Sequence, residues 1–440
     1  MSNFDLIVLG GGNAAALARQ CANAGWNVAL IEGDLLGGTC PNRGCIPSKL
    51  FLGFSEVATT IAEASRFYID ANTNSIDHET IRKEVFAATI DKTDSAVAAK
   101  LPENCKLYRG YGKFTGERQI EVNGETLQGK KIVIAVGTKP VIPKNMDTTD
   151  IWTSDDVFEM KKIPGSIAIV GGGYIACELA WFFSSIGVKT TMHVRSETLL
   201  RNEDEEIQAV FKKGFIKQVD VHFNSSIDDA MNIGAEKVLF ALGRQANTEQ
   251  LNLSSAGVKT SEKGFIVTDE YQKTSAEGVY ALGDVTGRYF FTHSASWEAK
   301  YLESCFLRDN EDAIEYGPMP HAVFSYPEVA GVGKTEQELK KESIEYHSVS
   351  LPYSKAAKGR AIKEEHGLCK FLLKKNGEIL GCHIVGHQAS VLIHEVIPVM
   401  HWRNNVTSIT GIIHIHPGLS ELVKNTARKG ATELGLYPTK

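Results

Sequence analysis

A chain of 440 residues, 43% hydrophobic and 23% charged, has the make-up of a globular protein of about three domains at roughly 150 residues each. The formal net charge of -6 excludes the dense basic surface that nucleic-acid binding needs. The sequence holds no run of about 18 apolar residues, and its first residues lack a basic, then apolar, secretory signal, so a cytoplasmic protein without membrane partners is expected.

The chain begins with a short apolar run at residues 4–9, followed by Gly10-Gly11-Gly12-Asn13-Ala14-Ala15. A helix pattern over 14–24 and an apolar strand over 28–31, ending at Glu32, complete a strand–turn–helix–strand unit. Bare backbone at Gly10 and Gly12, with the small Ala15, suits a pyrophosphate lying at a helix N-terminus. Glu32, 20 residues after Gly12, is placed to accept from a ribose hydroxyl.

The next segment is Gly37-Gly38-Thr39-Cys40-Pro41-Asn42-Arg43-Gly44-Cys45-Ile46-Pro47-Ser48-Lys49. Two cysteines five residues apart at a helix start can close a disulfide, and the helix N-terminus and Lys49 both favour a thiolate. Zinc is the poorer alternative, because no second close Cys/His pair completes four ligands. The other six of the eight cysteines are scattered singly and read as buried small hydrophobes.

The strand–turn–helix–strand pattern recurs 161 residues later. Residues 166–170 are apolar, Gly171-Gly172-Gly173-Tyr174-Ile175-Ala176 follows, and a helix pattern runs to about Ser185. The next strand, 188–194, ends at Arg195 rather than at an acidic residue, and Arg201 follows six residues on. Arginines there suit a 2′-phosphate, hence NADPH rather than NADH. The stretch 220–237 leaves room for one hairpin before Leu242-Gly243-Arg244. From about 320 the pattern becomes α+β: helices at 336–342 and 388–401 flank two strands within 367–385, around an Asn376-Gly377 turn. Near the C-terminus, His416 precedes Pro417, with Glu421 five residues on, which is a general acid/base His that a carboxylate can orient. His414 is read as structural.

Through the Gly-Gly-Thr-Cys…Gly-Cys-Ile-Pro-Ser-Lys string the chain resembles the pyridine nucleotide-disulfide oxidoreductases, and the likeness covers nearly its whole length. Ile134-Ala135-Val136-Gly137-Thr138 resembles the segment where that family's chain leaves the FAD domain. Tyr280-Ala281-Leu282-Gly283-Asp284 is similar to its flavin motif, Thr292 to a flavin-contacting turn, and Phe324-Ser325-Tyr326-Pro327-Glu328 to the entry of its dimerisation domain.

The resemblance implies two Rossmann-like dinucleotide-binding domains and a C-terminal α+β dimerisation domain. It places FAD on residues 1–145 and 263–316, NADPH on 146–262, and the dimer interface on 317–440. FAD would be held by Gly10, Gly12, Ala15, Glu32, Gly38, Thr39, Lys49, Gly112, Ala135, Gly137, Asp284 and Thr292. NADPH would be held by Gly171, Gly173, Tyr174, Ile175, Glu178, Arg195, Arg201 and Gly243. By the same likeness Cys45 is the thiol beside the flavin, Cys40 attacks the substrate disulfide, and Lys49 pairs with Glu178. His416, held by Glu421 and supplied by the partner subunit of a homodimer, protonates the leaving thiolate.

Local strings such as Asp269-Glu270-Tyr271-Gln272-Lys273-Thr274-Ser275-Ala276 and Gly386-His387-Gln388-Ala389-Ser390 resemble the mycothione reductase branch most closely, and Arg195 and Arg201 resemble the NADPH-binding pair of the glutathione reductases. Gln20 stands where a glutathione-contacting Arg would fall. The substrate is thus expected to be a mycothione-like, glutathione-like or histidine-derived thiol disulfide. Two alternatives remain at this point: an NAD-dependent dihydrolipoamide dehydrogenase, and a non-catalytic FAD-binding sensor or interaction protein on the same scaffold.

Overall fold

The computed structural model describes residues 2–143 and 151–436. Both glycine-rich units form for the same steric reason. Gly10 (φ +105°) and Gly171 (φ +139°) take a backbone that L side chains avoid. A Cβ on either would lie 2.3 or 2.4 Å from the carbonyl oxygen of Ala135 or Ala241, at the end of the neighbouring parallel strand. The repeat seen in sequence is therefore a repeat of one packing arrangement.

The first unit is a seven-stranded sheet. Ser2–Leu9 lies between Val28–Glu32 and Glu125–Ile134, parallel to both, and Val279–Ala281 also pairs with Glu125–Ile134. The second unit is a five-stranded parallel sheet with Ser166–Val170 at its centre. Ser166–Val170 beyond its first residue and the second half of Ser2–Leu9 are buried, as strands covered on both faces must be. The helices Ala14–Asn23 and Tyr174–Ser185 follow the two turns within a residue or so of the expected bounds. Thr138–Pro140 and Arg244–Ala246 pair antiparallel where the chain leaves the first unit and returns to it.

Three expectations need correction. Residues 246–258, expected with the second unit, pack with the first: Ala246, Leu251, Leu253, Ala256 and Val258 are buried in one core with Phe4 and Ile7. The boundary expected at 145/146 lies outside the described residues. The stretch 220–237 holds no hairpin. Asp220–Phe223 adds a parallel strand beside Lys189–Val194, and a short helix, Ile227–Asn232, follows. A capping box decides this: Ser226 and Asp229 exchange side-chain-to-backbone hydrogen bonds and satisfy the first free N–H groups of a helix. The helix expected over 388–401 breaks into Ala389–Leu392 and Ile397–Trp402, because Pro398 has no N–H to continue it.

The third unit is an antiparallel sheet of five strands. Leu368–Leu373 and Ile379–Val385 form the hairpin expected around Asn376-Gly377. The helix Ser420–Glu433 buries Leu422, Val423, Ala427 and Ala431 in the core of this unit. Among the described residues no helix is long and apolar enough to cross a membrane.

The helix Cys45–Ala62 joins the first two units. Its Phe51 is fully buried, with ring centroids 4.5 Å from Phe182, 6.2 Å from Phe158 and 6.5 Å from Phe86. Phe51→Ala is expected to destabilise the protein by about 3–5 kcal/mol, read as a lower denaturation midpoint at equal flavin loading.

Candidate active site

A cavity of about 470 Å³ opens at the C-terminal ends of the first sheet's parallel strands. Gly10, Gly12, Glu32, Gly38, Thr39, Gly112, Ala135, Gly137, Asp284 and Thr292 line it. Ala15 and Lys49 do not. Ala15 is buried within its helix, and Lys49 lies beyond the cysteine pair. The residues fit a dinucleotide. A Cβ on Gly38 would come within 2.8 Å of the Gly12 Cα, so both glycines keep the backbone bare at this end of the cavity. Glu32 is held at its strand end by the N–H groups of Gly11 (2.6 Å) and Asp34 (2.8 Å). Asn42, 2% exposed, lines the cavity with its Oδ1 lacking a partner in the protein. These groups would hold FAD.

Cys40 sits in the short helix Thr39–Arg43, and Cys45 is the first residue of the helix Cys45–Ala62. The two thiols are in hydrogen-bonding contact. The Cys40 hydrogen bond chiefly lowers the pKa of Cys45, to about 6. The Thr292 hydroxyl, 3.5 Å from Sγ, the Lys49 charge and the helix-start N–H add to this, and burial opposes it. Cys40 is pushed upward, mainly by that same bond and by burial. Of the two thiols, Cys45 is thus the more readily deprotonated.

Lys49 Nζ lies 2.6 Å from Glu178 Oε2, 3.3 Å from Ser48 Oγ, and 4.6 Å from the Phe324 ring centroid. Glu178 is buried, and its second oxygen accepts the Phe324 N–H at 3.0 Å. The carboxylate is thus occupied by Lys49 and the third unit's entry strand, which fixes the ammonium near Cys45. Tyr174 stands one turn before Glu178, its hydroxyl pushed up to about 12 by burial.

Sequence reasoning missed Arg244. Its Nε donates to Thr138 Oγ1 (2.7 Å) and its Nη2 to Thr138 O (2.8 Å). Thr138 Oγ1 lies 3.2 Å from Asp284 Oδ2. The guanidinium offsets the burial that raises both Asp155 and Asp284. Its local signal was an arginine directly after Gly243, whose φ is +118°.

Gly173 caps the helix Tyr174–Ser185, and Ile175 is half-buried in its first turn. Arg195 and Arg201 are exposed on the loop after Lys189–Val194. That loop is tied to the second glycine turn by Leu200 N–H to Gly172 O at 2.8 Å. Among the described residues no group of three or more His, Cys, Asp or Glu side chains is placed to hold a metal ion.

His416 Nδ1 lies 3.0 Å from both Glu421 oxygens, with the imidazole 73% exposed. Hydrogen bonding to His416 lowers the Glu421 pKa. Neither residue lines the cavity of its own chain. Next to His416 in the chain, Ile413 is fully exposed and Ile415 is 82% exposed. His414 is different: its side chain is buried, 3.5 Å from Glu395, as a structural histidine would be.

Residues 4–299 match the model of the pyridine nucleotide-disulphide oxidoreductases, and residues 319–427 match that family's dimerisation domain. The chain is 33% identical to mycothione reductase of Mycobacterium tuberculosis, over 97% of this chain and 99% of that one. It is 31% identical to dihydrolipoyl dehydrogenase of Chlamydia muridarum, over 99% of each. The HOCl-induced flavoprotein disulfide reductase RclA from Escherichia coli superposes with a TM-score of 0.87 at 25% identity, over 98% of this chain and all of that chain. With two Rossmann-type units, a paired-cysteine helix and a dimerisation domain, this enzyme belongs to the pyridine nucleotide-disulfide oxidoreductases, which work with FAD and a nicotinamide cofactor.

Proposed function

We propose that the enzyme uses NADPH to reduce the disulfide of a low-molecular-weight thiol, as a homodimer whose active sites draw on both subunits. The observation that carries this reading is the asymmetric cysteine pair: Cys45, whose pKa is lowered by Cys40, Thr292 and Lys49, lies beside Cys40, whose pKa is raised. FAD, when bound in the cavity, supplies the passage of two electrons from the nicotinamide to the Cys40–Cys45 disulfide. Cys40 passes its proton to the partner subunit's His416 and, as thiolate, attacks one substrate sulfur, forms a mixed disulfide and displaces the first thiolate. A proton on the partner subunit's His416 meets that leaving sulfur, and Glu421 stabilises the imidazolium beforehand. Cys45 attacks Cys40 Sγ, releasing the second thiolate and restoring the disulfide.

FAD is assigned to residues 1–145 and the return from about 244 to 316, NADPH to the segment between, and the interface to 317–440. The arginines at the 2′-phosphate position support NADPH, and the exposed Ile413 and Ile415 next to His416 support the dimer. The second reading is dihydrolipoamide oxidation with NAD, favoured by relatives of that name at 31% identity.

The experiment is oxidation of NADPH and NADH over a panel of disulfides: mycothione, glutathione disulfide, histidine-derived thiol disulfides and lipoamide. Strong NADPH preference with one small disulfide turned over is expected; NADH preference with lipoamide turnover sinks the reading. Arg195→Glu is expected to lower kcat/KM for NADPH by about 10–100-fold and leave NADH within about twofold, since a charge-assisted phosphate contact contributes roughly 1.5–3 kcal/mol.

A further inference from the structure

Away from the cysteines, a dense buried charge cluster lies where the loop after Arg195 meets the third sheet. Lys370, on the strand Leu368–Leu373, is 1% exposed. Its ammonium lies 2.8 Å from Asp204, 3.3 Å from Glu206, and in hydrogen-bonding contact with Glu336. Asp204 is wholly buried, and its oxygens also accept the N–H groups of Glu206 (3.1 Å) and Glu336 (2.9 Å). Beside it, Gln337 Nε2 donates to Glu203 O at 2.6 Å and Gln337 Oε1 accepts the Glu205 N–H at 3.4 Å. His321 Nε2 lies 2.9 Å from Glu203 Oε2. Lys370, Glu336, Gln337 and His321 belong to the third unit, and residues 203–206 to the nucleotide unit.

Burying a lysine among carboxylates is a poor source of stability, because desolvation consumes most of the attraction. What such a cluster does supply is one fixed geometry. Here the fixed element is the short run from Leu200 to Asp204. Leu200, with φ +51°, is tied to the second glycine turn through its N–H, and Asp204 is tied to Lys370. Arg201 sits between these two anchors with its side chain in solvent.

We propose that Lys370, acting through Asp204, is the positioning residue for Arg201, so that the interface domain sets the nucleotide preference of the neighbouring domain. This rests on the NADPH reading above.

The test is calorimetric binding of adenosine 2′,5′-bisphosphate and of 5′-AMP to the FAD-loaded dimer, two probes that differ only in the 2′-phosphate. Lys370→Met is expected to weaken the bisphosphate about tenfold, the scale of one misplaced charge-assisted contact, with 5′-AMP held within about twofold. Gln337→Ala leaves every charge in place and is expected to weaken the bisphosphate about threefold; it decides the matter if Lys370→Met does not fold. If the parent enzyme binds both probes alike, the NADPH reading falls and this proposal with it. If the parent prefers the bisphosphate and the folded variants do so equally, the positioning role alone is overturned.

Discussion

Cys45→Ser is expected to bring disulfide reduction below about one ten-thousandth of the parent rate, while FAD stays bound. The cavity that would hold FAD is lined by backbone and by residues such as Glu32, Asp284 and Thr292, and Cys45 is not among them. Its removal therefore takes away chemistry and leaves cofactor binding. Cys40→Ser is expected to be as inactive but to behave differently toward alkylation. It keeps a hydroxyl donor next to Cys45 and retains Thr292, Lys49 and the helix start. Cys45 should then titrate near its lowered value of about 6. A lowered thiol pKa means the reactive thiolate prevails above that pH, so iodoacetamide should alkylate rapidly at pH 8 and progressively more slowly as pH falls through 6. Titration at the ordinary thiol value would show that the surroundings of Cys45 do not activate it, and would remove the main support for the proposed chemistry.

How much of this was legible in the sequence follows from how local each signal is. The two glycine turns, the paired cysteines and the His416–Glu421 pair declare themselves within ten residues or so, and in the structure Cys40 touches Cys45 and His416 lies 3.0 Å from Glu421. The capping box at Ser226 and Asp229 was equally local; it was missed because the stretch was judged by its shortness rather than by its turn chemistry. Arg244 was passed over because its partners, Thr138, Asp155 and Asp284, come from distant parts of the chain. Residues 246–258 were assigned to the wrong body because scattered apolar residues do not say which core will bury them. Lys370 shows the limit most clearly. A lysine within an apolar strand reads as an exposed edge, yet its carboxylate partner lies 166 residues earlier in the chain. Pairings of that kind are fixed by how domains pack, and periodicity within one element carries no trace of them.

Domain packing also governs the strongest test of the dimer. His416→Gln is expected to slow disulfide reduction by about 10²–10⁴-fold, the usual worth of a positioned proton donor. The loss alone does not say which chain's cysteines His416 serves. Within its own chain the imidazole is largely exposed, is held by Glu421 through Nδ1, and lies apart from the residues lining the cavity. In the proposed homodimer it is the partner subunit that brings Nε2 to a Cys40 mixed disulfide. Co-expressing Cys45→Ser chains with His416→Gln chains distinguishes the two arrangements. With random pairing roughly half the dimers are mixed, and each mixed dimer has one site that joins an intact cysteine pair to an intact histidine from the other chain. Activity should return to about a quarter of the parent value, although both variants are inactive alone. If His416 serves the cysteines of its own chain, every site in the mixed dimer lacks one essential group, and no activity returns.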